Sequence, residues 1–282
     1  MGFRPAAELI GSALSGGYAV PSFCVWDAES AEAVLRAAVR LDAPVLVMAG
    51  PGEFPLLTPA SLAAAARTAL ERYPAVAALH LDHGDTPALA AECIEAGFTS
   101  VMLDYSTRPF DENVAAVGEV ARLAHARGVS VEGELGAVGK VDNATAEGSS
   151  GSSLTDPRQA ARYVERTGVD MLAVSIGNAH GIYAVRPRLD FARLEAIGAA
   201  AGVPLVLHGG SGTPPEDLKR AVELGIAKVN VASELVRAVR ESLQQQWAGA
   251  PAWLPGQIAR AMGAMEAVAA RWIGLCGAAG KA

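Results

Sequence analysis

Short apolar runs rich in β-branched residues alternate with longer alanine-rich segments of helical periodicity along almost the whole chain. This alternation restricts the fold more than any other feature, because strands that alternate with helices favour βα units and a parallel sheet. Glycine or proline separates most of the segments. Eight runs are predicted to be strands, at residues 19–25, 44–48, 77–81, 100–103, 129–134, 171–176, 204–207 and 227–231.

The alanine-rich segments are predicted to be helices, and several begin with proline in the first turn or with a serine or aspartate cap. They cover residues 28–41, 59–73, 87–96, 111–127, 157–167, 191–201, 215–224 and 233–246, and residues 254–275 form an extra C-terminal helix. Eight βα units close most simply into a (β/α)8 TIM barrel. A length of 282 residues suits one such domain, so we expect residues 1–282 to form a single TIM-barrel domain.

Composition excludes several classes of protein. No uncharged apolar stretch reaches the roughly 18 residues that a membrane span needs, and the N-terminus lacks the pattern of a signal peptide. Cys24, Cys93 and Cys276 are odd in number and far apart, which suits a reducing compartment rather than a disulfide framework. A net charge of −7 leaves no basic field for a polyanion. We therefore expect a cytoplasmic protein with no membrane or nucleic-acid partner.

Three histidines each follow a predicted strand: His83, His180 and His208 come after strands three, six and seven. Because the loops after the strands of a TIM barrel converge on one mouth, these residues should lie together. Three neutral imidazoles suit Zn²⁺ and leave one coordination position open to a substrate. The pattern therefore predicts a catalytic zinc site.

Two acids, Asp104 and Glu134, also lie at predicted strand ends, after strand four and at the end of strand five. They could bind a second or alternative metal position, or they could orient the histidines. The two remaining histidines fit a packing role better, since His80 lies inside strand three and His125 in a surface helix.

Two small-residue loops at the same edge can offer backbone N–H groups and hydroxyls to an anion. They are Gly209-Gly210-Ser211-Gly212 after strand seven, and Asn230-Val231-Ala232-Ser233 at the junction of strand eight and its helix. Glycine-rich turns also occur for conformational reasons alone, but barrels often hold phosphate with the loops after strands seven and eight. The loops therefore predict a phosphate pocket beside His208.

The chain resembles the class II, zinc-dependent ketose-bisphosphate aldolases, most closely the tagatose-bisphosphate and fructose-bisphosphate branch. The resemblance runs from about residue 18 to residue 276 and is carried by the strings LHLDHGD, SVMLDYS, VEGELGAVGK, AVSIGNAHGIY, PLVLHGGSG and KVNVASEL, in the family's order and spacing. It implies a (β/α)8 barrel that reversibly cleaves a ketose phosphate to dihydroxyacetone phosphate and an aldehyde. It also implies a homodimer or homotetramer.

The resemblance implies a role for each matching residue. It makes His83, His180 and His208 the zinc ligands, Asp104 and Glu134 second metal-site acids, and Asp82 the acid that protonates the aldehyde-derived oxygen. It assigns the ketone-side phosphate to Gly181, Gly209, Ser211, Asn230 and Ser233, with Asn230 also orienting the substrate. A monovalent cation, Na⁺ or K⁺, is implied near that phosphate.

This chain departs from the family pattern in the loop after strand five. Relatives usually carry Gly-Gly and then a glutamate that removes the carbon-bound proton of dihydroxyacetone phosphate. Here the stretch reads Gly139-Lys140-Val141-Asp142, so Asp142 becomes the candidate base.

The aldehyde end departs further. Relatives usually have serine or threonine where this chain has Gly50, and arginine where it has Ala252, and both groups serve the distal phosphate. The early Phe-Asn pair is Phe23-Cys24 here. An altered aldehyde preference is therefore predicted, unless Arg108, Lys140 or Arg260 replaces the missing contacts.

Two other functions remain open at this point. One is a metal-dependent hydrolase barrel, which would need a base beside the metal and would not explain the phosphate loops. The other is a non-catalytic, aldolase-like partner subunit, although the presence of Asp82 and all three histidines argues against it.

Overall fold

The computed structural model describes residues 2–141, 149–150, 152–183, 185–249 and 252–282. The strands are β1 Val20–Cys24, β2 Val45–Ala49, β3 Ala77–Gly84, β4 Ser100–Leu103, β5 Ser130–Leu135, β6 Gly139–Val141, β7 Ser149–Ser150, β8 Met171–Val174, β9 Ala179–His180, β10 Leu205–Leu207 and β11 Ile226–Val231. Eight of them form a closed barrel in the order β1-β11-β10-β8-β5-β4-β3-β2, and neighbouring strands are parallel. The predicted (β/α)8 barrel is confirmed.

The helices follow the predicted segments closely. They are α1 Ala6–Gly16, α2 Ala28–Arg40, α3 Pro59–Arg72, α4 Pro87–Ala96, α5 Phe110–His125, α6 Pro157–Thr167, α7 Phe191–Ala201, α8 Pro215–Glu223, α9 Ser233–Trp247 and α10 Leu254–Leu275. Local signals explain the starts: Asp27 and Thr58 each cap a helix by accepting a hydrogen bond from the backbone N–H three residues on. Proline occupies the first turn of α3, α4, α6, α8 and α10.

Helix α1 is not predicted by the strand–helix alternation, and it has no side-chain cap to mark its start. It covers the end of the barrel where the strands begin. The backbone N–H of Ala7 donates to Ser130 Oγ at 3.0 Å, and that of Arg4 donates to the carbonyl of Ala77 at 2.8 Å. Since Ser130 and Ala77 begin β5 and β3, α1 closes the bottom of the barrel and leaves the opposite mouth open.

A small second sheet stands at that mouth, with strand order β7-β6-β9. Strand β6 runs parallel to β9, and Lys140 is in register with His180. The segment that leads to Asp142 is thereby placed beside a predicted metal ligand. Asp142 itself lies outside the described residues.

The C-terminal helix α10 packs against α2 and α9 of the same chain, with Trp272 and Met265 buried in the contact. It therefore covers the side of the barrel. Cys24, Cys93 and Cys276 are free thiols, and all three are buried. Among the described residues, no helix is long and apolar enough to cross a membrane.

Candidate active site

Three imidazoles meet at the mouth of the barrel. Nε2 of His83 lies 3.1 Å from Nε2 of His180 and 2.8 Å from Nδ1 of His208. Zinc–nitrogen bonds of about 2.0–2.1 Å in a tetrahedral site place two ligand nitrogens roughly 3.3 Å apart. The predicted convergence of the three histidines is therefore present, at a spacing that fits one metal ion.

The protonation of the histidines and the nearby carboxylates also favours a bound cation at this site. Burial lowers the pKa of His180 and of His208, so both imidazoles are neutral near pH 7 and keep a lone pair for a metal. Burial alone would lower the pKa of His83 too, but the carboxylates of Asp82 and Asp104 outweigh it and raise that pKa to about 10. These carboxylates stabilise positive charge where the metal would lie.

The two acids predicted for the metal region are both in place. Asp104 Oδ2 lies 2.7 Å from His83 Nδ1, and its Oδ1 accepts a hydrogen bond from the Ser106 hydroxyl. Glu134 Oε1 accepts from the Val138 N–H at 2.9 Å. Its Oε2 is buried without a hydrogen-bond partner among the described residues, 3.9 Å from His208 Nδ1. His83, Asp104 and Glu134 thus form a second group that could hold a metal.

Strand β3 is longer than the sequence predicted. Asp82 and His83 were expected just after the strand, but β3 continues to Gly84, so both lie within it. The pairing of β3 with β4 shifts register between Leu81 and Gly84, and His83 adopts a left-handed backbone with φ of 46°. This irregular end explains why the pattern alone stopped at residue 81.

The side chains of Asp82 on β3 and Asn230 on β11 are hydrogen-bonded to each other at the mouth of the barrel. The Asn230 amide donates from Nδ2 to Asp82 Oδ1 at 2.8 Å. Oδ1 of Asn230 is buried and has no partner among the described side chains and backbone groups. A buried acceptor without a partner is costly in a native protein, so this oxygen is available to a bound ligand.

The predicted phosphate loops border one cavity next to the histidines. Its lining comprises Met48, Asp82, His180, Gly181, Gly209, Ser211, Asn230, Ala232 and Ser233. Helix α9 begins at Ser233, which lines the cavity, and its N-cap residue Ala232 makes no side-chain cap. The N–H of Glu234, in the first turn, donates to Ser211 Oγ at 3.3 Å. An anion bound there would also gain from the positive end of the helix dipole.

Two residues of the predicted phosphate loops, Gly210 and Val231, are not among the residues that line the cavity. The N–H of Gly210 is already used, because it donates to the carbonyl of Asn230 at 3.0 Å. The side chain of Val231 is fully buried in the core. The hydrogen bond of Gly210 therefore joins the two loops.

Glu234 fixes the loop after β10 in position. Its Oε1 accepts from the Gly212 N–H at 2.7 Å, and its Oε2 accepts from the Trp272 indole at 3.0 Å and from Arg271. The phosphate loop is therefore tied to the C-terminal helix α10. No pattern in the sequence indicates this role for Glu234.

The phosphate loop and the metal site share a close backbone contact at Gly209. Its φ is 64°, and a Cβ placed there would lie 2.1 Å from the carbonyl oxygen of Ala179, the residue before His180. Any larger residue would strain the backbone and push β9 away.

We expect Gly209→Ala to lower the free energy of unfolding by more than the roughly 1–2 kcal/mol that a left-handed backbone costs a non-glycine residue. It should also raise KM for dihydroxyacetone phosphate, the substrate that the family resemblance implies. Gly202→Ala is the matched control, because Gly202 has a φ of 69° but no atom within 4 Å of the added Cβ. Denaturant unfolding and steady-state kinetics measure both effects. Equal destabilisation by the two substitutions, with KM unchanged, would show that the contact at Gly209 is unimportant.

Sequence reasoning missed a buried polar layer below the site. Strands β3, β5 and β11 each carry two polar residues that are two positions apart. The residues nearer the mouth are Asp82, Glu134 and Asn230. The residues deeper in the barrel are His80, Glu132 and Lys228, and none of these three is exposed to solvent. Residues two apart on a strand face the same side, so this spacing was the available signal. His125 is exposed and pairs with Asp170, which confirms its assignment outside the site.

Three cationic residues could replace the missing contacts to a distal phosphate, and all three are exposed: Arg108, Lys140 and Arg260. Arg108 stacks over the Tyr105 ring at 5.8 Å, and Arg260 donates to Gln246 Oε1 at 2.6 Å. Lys140 is exposed on β6. Ala252 is exposed in the connection between α9 and α10. None of these contacts assigns a cation to the site.

Comparison with known proteins gives consistent matches over nearly the full length. Residues 4–281 match the family model for class-II fructose-bisphosphate aldolase. A probable fructose-bisphosphate aldolase of Bacillus subtilis (strain 168) is 43% identical over 245 residues, covering 84% of this chain and 85% of the relative. The crystal structure of the YdjI aldolase from Escherichia coli K12 matches with a TM-score of 0.88 and 32% identity over 99% of both chains. A putative fructose-1,6-biphosphate aldolase from Coccidioides immitis matches with a TM-score of 0.88 and 28% identity, covering 99% of this chain and 98% of that one.

Proposed function

Because the chain belongs to the class II fructose-bisphosphate aldolase family and is an aldolase, we propose that it depends on zinc and reversibly cleaves a ketose phosphate to dihydroxyacetone phosphate and an aldehyde. The observation that carries this proposal is the meeting of three imidazole nitrogens beside a cavity lined by both phosphate loops. The family match argues against the hydrolase alternative. The complete histidine set argues against a non-catalytic partner subunit.

His83, His180 and His208 would hold the zinc ion, with Asp104 and Glu134 available to a second or alternative position. A zinc ion supplies positive charge that polarises a carbonyl group and stabilises the negative charge that develops on it. The two phosphate loops would place the ketone of dihydroxyacetone phosphate next to that charge. The family resemblance predicts a Na⁺ or K⁺ ion beside the phosphate.

The remaining residues divide the proton transfers. In the direction of synthesis, Asp142 would take a proton from the carbon of dihydroxyacetone phosphate that becomes the nucleophile. That carbon then attacks the aldehyde, and Asp82 would give a proton to the oxygen of the former aldehyde. Asn230 orients Asp82 through their hydrogen bond of 2.8 Å, and its free Oδ1 can meet a substrate hydroxyl.

Metal analysis combined with a proton-exchange assay tests the proposal. An aldolase should exchange a carbon-bound proton of dihydroxyacetone phosphate with solvent in the absence of any aldehyde, whereas a hydrolase or a non-catalytic subunit should not. We expect stoichiometric zinc and measurable exchange, both removed by a chelator. Exchange that persists after complete metal removal would contradict the proposal.

The aldehyde end supports an altered substrate preference. A Cβ on Gly50 would lie 2.2 Å from the carbonyl oxygen of Asp82, so this backbone has no space for the serine or threonine of relatives. Glu53 accepts from the Gly50 N–H at 2.9 Å. Burial, with smaller contributions from Glu53 and Asp82, raises the pKa of the nearby Cys24 thiol. A carboxylate therefore lies beside Gly50, the position where relatives carry a hydroxyl, and a carboxylate there disfavours a second phosphate.

We therefore expect unphosphorylated aldehydes to be accepted at least comparably to glyceraldehyde 3-phosphate. Comparing kcat/KM for aldol addition with phosphorylated and unphosphorylated glyceraldehyde measures the preference. Ala252→Arg is the informative variant, because restoring one charge-assisted contact should shift the ratio toward the phosphorylated aldehyde. A wild-type preference above about 10³-fold for the phosphorylated aldehyde, roughly 4 kcal/mol, would overturn this expectation.

A further inference from the structure

Lys228 is fully buried inside the barrel, in the polar layer below the metal site. Burying an ammonium group is costly unless it is paired and hydrogen-bonded. Here Nζ donates to Glu132 Oε2 at 2.6 Å and lies 3.2 Å from Nε2 of His80. Nδ1 of His80 is in turn 2.8 Å from the Ser100 hydroxyl. The ammonium group of Lys228 therefore contacts one imidazole, that of His80, and one carboxylate, that of Glu132.

That carboxylate joins the lysine to a metal ligand. While Oε2 of Glu132 accepts from Lys228, its Oε1 lies 2.7 Å from His208 Nε2. A proton on Nε2 is needed for this second contact, so Nδ1 of His208 keeps its lone pair. Nδ1 is the nitrogen that faces the other two histidines, 2.8 Å from His83 Nε2.

We propose that Lys228 is a positioning residue which, through Glu132, fixes the ring orientation and the tautomer of His208 and so sets the affinity of the site for zinc. Without the ammonium group, Glu132 would be a buried carboxylate with no cationic partner and one free oxygen. Its contact with His208 would then lose its fixed geometry. Carboxylates that hold a ligand histidine commonly change metal affinity by about 10–100-fold when they are replaced.

The other carboxylate–histidine pair at the site has a different environment. Asp104, which holds His83, is partly exposed and is supported by the Ser106 hydroxyl and N–H. Glu132 is fully buried, and its second oxygen is supported by the Lys228 cation. Removing the buried Lys228 cation should therefore lower zinc affinity more than removing the partly exposed Ser106 hydroxyl.

The test is a double-mutant cycle that reads zinc affinity by competition with a chelator. Lys228→Met removes the charge with little change in length, Glu132→Gln keeps the shape of the carboxylate, and the third protein carries both substitutions. Each single variant should bind zinc about 10–100-fold more weakly. The double variant should be no weaker than the weaker single one, because Lys228 acts only through Glu132. Lys219→Met, at an exposed lysine on α8, should leave zinc affinity unchanged.

A second readout separates positioning from simple destabilisation. The visible absorption of the Co²⁺-substituted protein reports the geometry of the ligands, and we expect it to change in Lys228→Met and to be closer to wild type in Lys228→Arg. If Lys228→Met does not fold, Lys228→Arg and Glu132→Gln still decide the question, since only the second should lose affinity.

The inference rests on the proposed zinc function, and the two can fail separately. Failure of the wild-type protein to bind zinc would remove the proposed function. Wild-type zinc binding together with unchanged affinity in Glu132→Gln, or with additive losses in the double variant, would overturn the role of Lys228 alone.

Discussion

Replacing His208 with alanine is expected to abolish the proposed zinc binding and to lower turnover by at least about 10³-fold, since a catalytic metal contributes several kcal/mol to the stabilisation of developing charge. His208 is the only one of the three predicted ligands, all within the described residues, whose side chain is fully buried. Its Nδ1 faces the other two histidines and its Nε2 is held by Glu132. Zinc content and aldol cleavage should be measured on the same preparation.

His125→Ala is the control for this experiment. His125 lies on the surface at the end of α5 and contacts Asp170 at 3.0 Å, outside the site. It should keep wild-type zinc content and turnover. A His208→Ala protein that retained full zinc content and activity would show that the ligand assignment is wrong.

The periodicity of the sequence was sufficient to predict the barrel. Eight barrel strands and the eight helices α2 to α9 of the described chain follow the alternation, because each buries one face against the other layer and because caps such as Asp27 and Thr58 mark the helix starts. Helix α1 could not be predicted this way, since its role at the bottom of the barrel depends on contacts with Ser130 and Ala77 that are distant in sequence. The small sheet of β6, β7 and β9 has strands too short to produce a pattern.

The mouth of the site was likewise predictable, because barrel topology brings the strand ends together. What the sequence did not reveal is which polar residues inside the strands contact one another. Glu132 and Lys228 are 96 positions apart, and their ion pair exists only after the barrel closes. The sequence places Glu132 beside Glu134 at the end of strand five, and Lys228 resembles an isolated polar residue in a strand. His80 was assigned to packing for that reason, and the structure places it in contact with Lys228.

The last prediction concerns the division of the proton transfers between Asp82 and Asp142. Asp82→Ala should lower C–C bond cleavage by about 10²- to 10⁴-fold, the usual contribution of a general acid or base. It should retain appreciable proton exchange on dihydroxyacetone phosphate, because exchange needs the base but no aldehyde oxygen. Asp142→Ala should lose both reactions. Since Asp82 precedes the proposed zinc ligand His83 and accepts a hydrogen bond from Asn230, zinc content must be measured in each variant, and Asp82→Asn provides the isosteric comparison. Equal loss of cleavage and exchange in Asp82→Ala, with zinc still bound, would mean that Asp82 acts on the ketone half of the substrate.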